Sequence, residues 1–415
     1  MATPILALIP SGYKSEKVYS VIPSNGDGDF TFTREGASGQ PNSTRVNKAG
    51  LIEEVNSNVP RLDYSDGSCP SLLLENQSTN LLPYSEDFSD SSWQSSGLSV
   101  SSNQTISPDS TLSSDKLIED NSNINHQLYS VITSVQSNNV YTLSLFAKKG
   151  ERDIIQISVG GTSFLEGSVY ANFDLANGSI GNGNYLDAKI VMSQNDWYKC
   201  SVSFTTISTS NFTISIQPKL TSSASRNLAY QGDGTSGLYI WGAQLEESSI
   251  SSSYIPTDGA IATRLIDQAS NDFSSQPTVA NTNTVVLKFI PMGFDTDFYD
   301  LLKFSDGTND LRIEGFQTNN YDVYGSGLSA SGMIDGALQL DAGSINTISF
   351  SYSGTSLRFS HNGSTIATTT PTGNLPTITE ILHTTGASSP IKILKLEVYN
   401  DFKTQEELNS LTNSN

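Results

Sequence analysis

The stretch Leu238–Asp267, LYIWGAQLEESSISSSYIPTDGAIATRLID, opens as a strand and ends as a polar connector. Its first part, with Gly237 in front, alternates apolar and polar residues with the period of two that sends successive side chains to opposite faces of a sheet. Seven further runs of this kind precede it: LYSVITSV, YTLSLFAKK, IIQISVGG, GSVYANFDL, AKIVMS, WYKCSVSFTT and FTISIQPKL, separated by Asn, Gly and Ser turns. Eight short strands at close, regular spacing predict a β-sandwich or jelly roll over residues 86–258. On this reading GLYIWGAQLE is the closing strand and SSISSSYIPT its exit. Trp197, Trp241 and Tyr254 are then structural residues, because strand aromatics are mostly core.

The same character recurs downstream. NTVVLKFIPM, DLLKFSD, DLRIEGF, SINTISFSYSG, TSLRFSHNG, STIATTT and IKILKLEVYN predict a second sandwich over residues 281–415. Asn362-Gly363 is a hairpin signal, and Thr404 with Glu407 ahead of Leu408 and Leu411 is a capping box for one short helix. Residues 259–280 read as a linker. Residues 1–85 contain only short extended pieces broken by proline and glycine, and read as a lead-in that wraps on a neighbour.

Composition agrees with an all-β chain of more than one domain. Of 415 residues, 36% are hydrophobic and 15% charged, with a formal net charge of -20. The polar balance lies with Ser, Thr, Asn and Gly, which suit turns and strands. Nucleic acid is excluded as a partner, since phosphates require clustered Lys and Arg. No run approaches the ~20 apolar residues of a membrane span, so membrane insertion is not expected, and no secretory signal is visible. Cys69 and Cys200 allow one disulfide at most and read as free thiols.

Catalytic motifs are missing. His126, His361 and His383 have no partner at metal-ligand spacing, and there is no nucleophile elbow, zinc-protease helix or phosphate loop. A glycosidase pair of carboxylates depends on spatial separation and stays open. No cofactor is implied, although Asp295, Asp297, Asp306 and Asp310 sit in oxygen-rich clusters of the kind calcium accepts; the competing reading is that they serve turns. Carbohydrate chemistry draws on aromatic faces beside amides and carboxylates. Tyr321, Tyr324, Phe298 and Tyr299 are candidates in the third segment, with Trp93 and Tyr185 in the second.

Several motifs in order resemble tailed-bacteriophage head-fibre, head-spike and tail-fibre proteins. They are Tyr230 to Glu246 (YQGDGTSGLYIWGAQLE), Ser253 to Thr257 (SYIPT) and Ala262-Thr263-Arg264, with Phe173-Asp174-Leu175 and Asp196 to Cys200 inside the sandwich. Upstream, Thr44 to Glu53, Pro60 to Tyr64, Cys69 to Glu75 and Thr79 to Leu82 look like the lead-in of the same proteins. The resemblance covers roughly residues 1–267. The last segment looks more loosely like a concanavalin-type or laminin-G-like jelly roll, through Leu396 to Asn400 and Thr404 to Leu411, but lacks that group's clear metal-ligand set. The resemblance implies a non-enzymatic virion appendage outside the capsid or tail. It implies self-association, as a homotrimer, and attachment to other virion proteins through residues 1–85. It also implies carbohydrate-binding-module-like sandwiches that adhere to cell-surface or environmental glycans. A ligand-free capsid-decorating or collar protein, a polysaccharide depolymerase and a cell-surface adhesin are the alternatives.

Overall fold

The computed structural model describes residues 3–34, 43–133, 135–161, 164–276, 278, 282–293, 299–316, 320–325, 338–340, 342–354, 356–371, 373–383 and 390–413. All strand pairs are antiparallel, and Gln405–Thr412 is the one α-helix among these residues. No helix among them is long and apolar enough to cross a membrane. The chain forms two compact units, each discontinuous in sequence: Met1–Pro41, Val55–Gln77 and Leu265–Asn415 make one, and Asn42–Glu54 and Ser78–Arg264 the other.

In the unit built on Ser78–Arg264, two six-stranded sheets enclose a core that includes Leu143, Ile155, Phe173, Val202, Phe204 and Ile216. One sheet runs Gln94–Ser96, Gln127–Ile132, Phe212–Lys219, Ile154–Gly160, Tyr170–Asp174, Ser179–Asn184. The other runs Leu98–Thr105, Ser114–Glu119, Gly237–Glu246, Val140–Lys149, Tyr198–Thr205, Asp187–Met192. All eight runs legible in the sequence are strands here.

Gly237–Glu246 is buried on both faces, and its glycine explains how. Ser144 pairs with Gln244 but Phe146 pairs with Trp241, so the closing strand carries one extra residue at this point. Gly242 sits there at φ +64°, the left-handed conformation that a one-residue bulge requires. The bulge shifts the alternation, so Leu238 and Ile240 before it, and Ala243 and Leu245 after it, all reach the inter-sheet core. Trp241 is turned out of that core into a second cluster with Ile52, Phe146, Trp197 and Tyr254. Its ring centroid lies 4.6 Å from that of Tyr254 and 5.5 Å from that of Phe146.

The Ser-rich exit is held against this strand by buried polar side chains. Glu246 accepts from the Ser252 N–H at 3.0 Å and from the Ser78 hydroxyl at 2.6 Å. Gln244 accepts from the Ile255 N–H at 2.6 Å, and the Asn80 amide donates to the carbonyls of Ala243 and Ile255. The Tyr254 hydroxyl lies 2.6 Å from that of Ser85 and donates to Glu86 at 2.8 Å. Burial raises the pKa of Glu86, and the Tyr254 hydrogen bond opposes that rise.

The second unit takes its strands from both ends of the chain. One sheet runs Ser364–Thr369, Ser356–His361, Asn346–Ser353, Asn283–Pro291, Ile391–Tyr399, Ser71–Leu74, Arg61–Asp63, with Leu6–Leu8 also on Ile391–Tyr399. The other runs Tyr13–Lys14, Lys17–Val18, Phe30–Thr33, Gln268–Asp272, Glu380–His383, Tyr299–Ser305, Asp310–Phe316, Asn320–Gly325, Leu338–Gln339. Their shared core joins Leu6, Leu8, Phe30, Phe32, Leu72 and Leu74 to Val285, Phe304, Phe350 and Leu396. The hairpin at Asn362 (φ +45°) and Gly363 (φ +81°) forms as its sequence predicts. So does the capping box, in which Thr404 N–H meets Glu407 at 2.7 Å.

This division differs from the one read off the sequence. Residues 1–85 are not a separate lead-in: apart from Thr44–Val46 and Ile52–Glu54, which pair with each other, their described strands up to Asn80 join sheets whose other strands come from later in the chain, because pieces two to four residues long cannot enclose a core alone. Residues 259–280 are not a linker either. Ala262–Arg264 pairs with Ser78–Asn80, and Gln268–Asp272 is an interior strand between Phe30–Thr33 and Glu380–His383.

Within the second unit, a buried ionic cluster ties the N-terminal segments to Asp267. Arg61, at 0% exposure, pairs with Glu75 at 2.6 Å and with Asp267. Arg34 reaches Asp267 at 3.0 Å and the Asn56 carbonyl at 2.6 Å, and the Glu75 N–H donates to Asp267 at 3.0 Å. Burial disfavours the Arg61 charge, but Asp267 and Glu75 outweigh it and hold its pKa above the ordinary value.

Three outcomes follow. A fragment of residues 265–415, lacking the N-terminal strands, shows no cooperative thermal transition by circular dichroism, whereas the intact chain does. Arg61→Leu leaves two buried carboxylates short of a cation and lowers stability by about 3–5 kcal/mol in urea titrations. Gly242→Ala costs about 1–2 kcal/mol for the left-handed backbone alone, and its new methyl would also sit 3.2 Å from Phe146 and 3.3 Å from Tyr254.

Candidate ligand-binding site

Of the aromatic residues singled out in the third segment, Tyr299 opens strand Tyr299–Ser305, and Tyr321 and Tyr324 belong to strand Asn320–Gly325. Phe298 lies outside the described residues. Tyr299, Gly315 and Tyr321 stand opposite one another across three neighbouring strands, whereas Tyr324 stands opposite Arg312 and, beyond it, Lys303. The Arg312 guanidinium covers the Tyr324 ring at 5.5 Å and pairs with Asp300 at 3.3 Å and with Asp310. Lys303 reaches Asp310 at 3.4 Å. A ring capped by a cation offers no bare apolar plate to a sugar.

In the second segment Trp93 is buried against Phe88, at 5.2 Å between centroids, and donates to the Tyr84 carbonyl at 3.0 Å. Tyr185 is half-buried against the core. Trp197 is fully buried and donates to the Ile106 carbonyl at 3.0 Å.

Of the calcium candidates, Asp295 and Asp297 lie outside the described residues. Asp306 is a turn residue: one oxygen accepts from the N–H groups of Thr308 at 2.9 Å and Asn309 at 2.6 Å, the other from Thr377 at 3.2 Å. Burial opposes its charge, yet these donors hold its pKa below the usual carboxylate range. Asp310 is engaged by Arg312 and Lys303. Among the described residues no group of three or more His, Cys, Asp or Glu could hold a metal ion. Cys69 and Cys200 are free thiols, the first exposed, the second buried.

Unused polar groups gather instead in a cavity of about 500 Å³ in the unit built on Ser78–Arg264. That volume falls within the range of small-molecule sites, roughly 300–1,000 Å³. Strand Gln127–Ile132 supplies one wall through Ser130, Val131 and Ile132, and Thr133 continues it. Leu81, Pro83 and Val135 add apolar surface, Ser91, Ser92 and Gln94 contribute polar groups, and Ile261, 59% exposed, lies at the mouth. Ser130 is an inward-facing residue of its strand, between the buried Leu128 and Ile132, and is only 6% exposed. Among the described residues, the hydroxyls of Ser91, Ser130 and Thr133 make no hydrogen bond within the protein. Gln94 accepts from the Tyr129 hydroxyl at 2.9 Å, which leaves its amide N–H groups unused.

Tyr141 completes the lining from the core side. Its hydroxyl accepts from the Gln136 N–H and donates to Glu247, each at 3.0 Å. Burial pushes the phenol above its ordinary pKa and Glu247 adds to the shift, against the Gln136 N–H, so Tyr141 stays neutral. Among the described residues, no carboxylate, imidazole, amine or guanidinium lines the cavity. It can hold a ligand by hydrogen bonds and apolar contact, but it carries neither an acid–base pair nor an activated nucleophile. The sequence held one legible hint of this site, a serine at an inward position of QLYSVI.

No family model matches the sequence, and no curated protein matches it. Three solved structures show a distant likeness. The CBM40 module of Ruminococcus gnavus IT-sialidase bound to α2,3 sialyllactose is 13% identical, over 32% of this chain and 84% of that one, with a TM-score of 0.26. The CBM22 tandem of Paenibacillus barcinonensis Xyn10C is 10% identical, over 77% and 97%, with a TM-score of 0.27. Trypanosoma rangeli sialidase in complex with the inhibitor DANA is 11% identical, over 72% and 60%, with a TM-score of 0.30. At these values the likeness says nothing about what this chain binds.

Proposed function

We propose that the chain is a non-catalytic binding protein whose sandwich of residues 78–264 holds a glycan, displayed as a fibre or spike subunit on the exterior of a bacteriophage virion. The observation that carries the binding part is the cavity around Ser130. The hydroxyls of Ser91, Ser130 and Thr133 and the N–H groups of the Gln94 amide have no partner among the described residues, Leu81, Pro83, Ile132 and Val135 add apolar surface, and a sugar ring presents the matching combination of hydroxyls and C–H surface. A depolymerase of the usual kind needs two carboxylates roughly 5–9.5 Å apart across the scissile bond. Among the described residues the cavity lining contains none.

The virion part rests on the motifs between Thr44 and Arg264 that resemble phage appendage proteins, and homotrimeric assembly is proposed on the same ground. A net charge of -20 suits a protein displayed densely at a surface, since like charge opposes non-specific association. Attachment to other virion proteins is assigned to a surface of the folded units, because the described strands of residues 1–85 are already sheet partners.

A glycan array probed with the intact chain tests the reading. Specific binding to a subset of glycans is the expected result. Uniform absence of binding from folded protein would overturn it and favour a purely architectural capsid-decorating role.

A further inference from the structure

We infer that the cavity accepts a neutral saccharide unit and rejects sialic and uronic acids; this rests on the glycan-binding reading above. A carboxylate entering a site of this kind gives up its hydration and needs a cation or several strong donors in return. Among the described residues, no Lys, Arg or His lines the cavity. The donors that remain among the described residues are neutral: the hydroxyls of Ser91, Ser92, Ser130 and Thr133 and the Gln94 amide N–H groups. Tyr141 adds no donor for an anion, because its proton is committed to Glu247. Glu247 itself, exposed and within a hydrogen bond of the lining, places negative charge next to the site, and the chain as a whole carries -20.

A hydroxyl both donates and accepts, so Ser130 and Thr133 match sugar hydroxyls in either orientation. Ser130, nine-tenths buried on the inner face of its strand, is placed to set which hydroxyl is read. With no charged pair formed on binding, affinity should hardly change with ionic strength.

The test is an array of matched glycans, in which each neutral member has a sialylated or uronate-bearing counterpart, probed with the intact chain at low and moderate salt. Neutral members bind, and their acidic counterparts bind at least about tenfold more weakly, as expected when a desolvated charge finds no partner. Ser130→Ala weakens the best neutral ligand by about threefold to tenfold, the scale of one neutral hydrogen bond. Ser91→Trp, at an exposed lining position, abolishes binding, while the thermal transition of both variants shows that they fold. Preference for the acidic counterparts overturns the inference and leaves glycan binding standing. Neutral binding that survives both substitutions also overturns it, by placing the site elsewhere. Failure of every glycan to bind removes the glycan reading itself.

Discussion

The pairing of strand Ile391–Tyr399 with strands from the other end of the chain is the constraint on which the second unit depends. One side of this strand lies against Asn283–Pro291. The other side is shared: Ile391, Lys392 and Ile393 pair with Leu74, Leu73 and Leu72, and Leu396, Glu397 and Val398 pair with Leu8, Ala7 and Leu6. Without those two short strands a long apolar strand would present a row of unpaired N–H and C=O groups, which costs stability and invites aggregation. The N-terminal strands also carry Leu6, Leu8, Leu72 and Leu74 into the core, all fully buried. The backbone ladder and the hydrophobic burial are satisfied by the same residues.

The Arg61 cluster adds specificity to that arrangement. Ion pairs removed from water contribute little net stability, because desolvation offsets most of the attraction. Their effect is to penalise every alternative in which Arg61, Glu75 and Asp267 do not meet, since each would then be a buried charge without a partner. The cluster binds segments near positions 34, 61, 75 and 267, and so sets the register of strands too short to specify it by hydrophobic pattern. Gly242 has a comparable role in the other unit, where a single left-handed residue lets one strand serve both the inter-sheet core and the tryptophan cluster.

The parts of the fold that were legible in the sequence were those with a local signal. Long alternating runs such as YTLSLFAKK and IKILKLEVYN predicted their own strands, and Thr404 with Glu407 predicted the helix. Leu98–Thr105 and Ser179–Asn184 are strands whose composition, LSVSSNQT and SIGNGN, reads as loop. They are exposed edge strands and have little apolar alternation to display. The N-terminal pieces read as short extended segments, but their place in the fold was not legible, because a three-residue strand such as Leu6–Leu8 is fixed by a partner hundreds of positions away. The candidate site was hidden because aromatic residues attract attention, whereas Ser130 and Thr133 differ from scores of other hydroxyl residues only in facing a cavity. Tyr324 illustrates the converse, an aromatic residue with suitable neighbours in sequence whose face is covered by Arg312.

The described N-terminal strands Leu6–Leu8 and Ser71–Leu74 are sheet members of the unit that holds Ile391–Tyr399, and the proposed ligand cavity belongs to the unit built on Ser78–Arg264. Hydrogen exchange on the intact chain tests this most directly. The amides that Leu6–Leu8 and Ser71–Leu74 place in the ladder should exchange as slowly as those of Ile391–Tyr399, and should lose protection together with them on mild denaturation. Rapid exchange at Leu6–Leu8 and Ser71–Leu74, with Ile391–Tyr399 still protected, would contradict the account and return the first residues to the role of a separate arm.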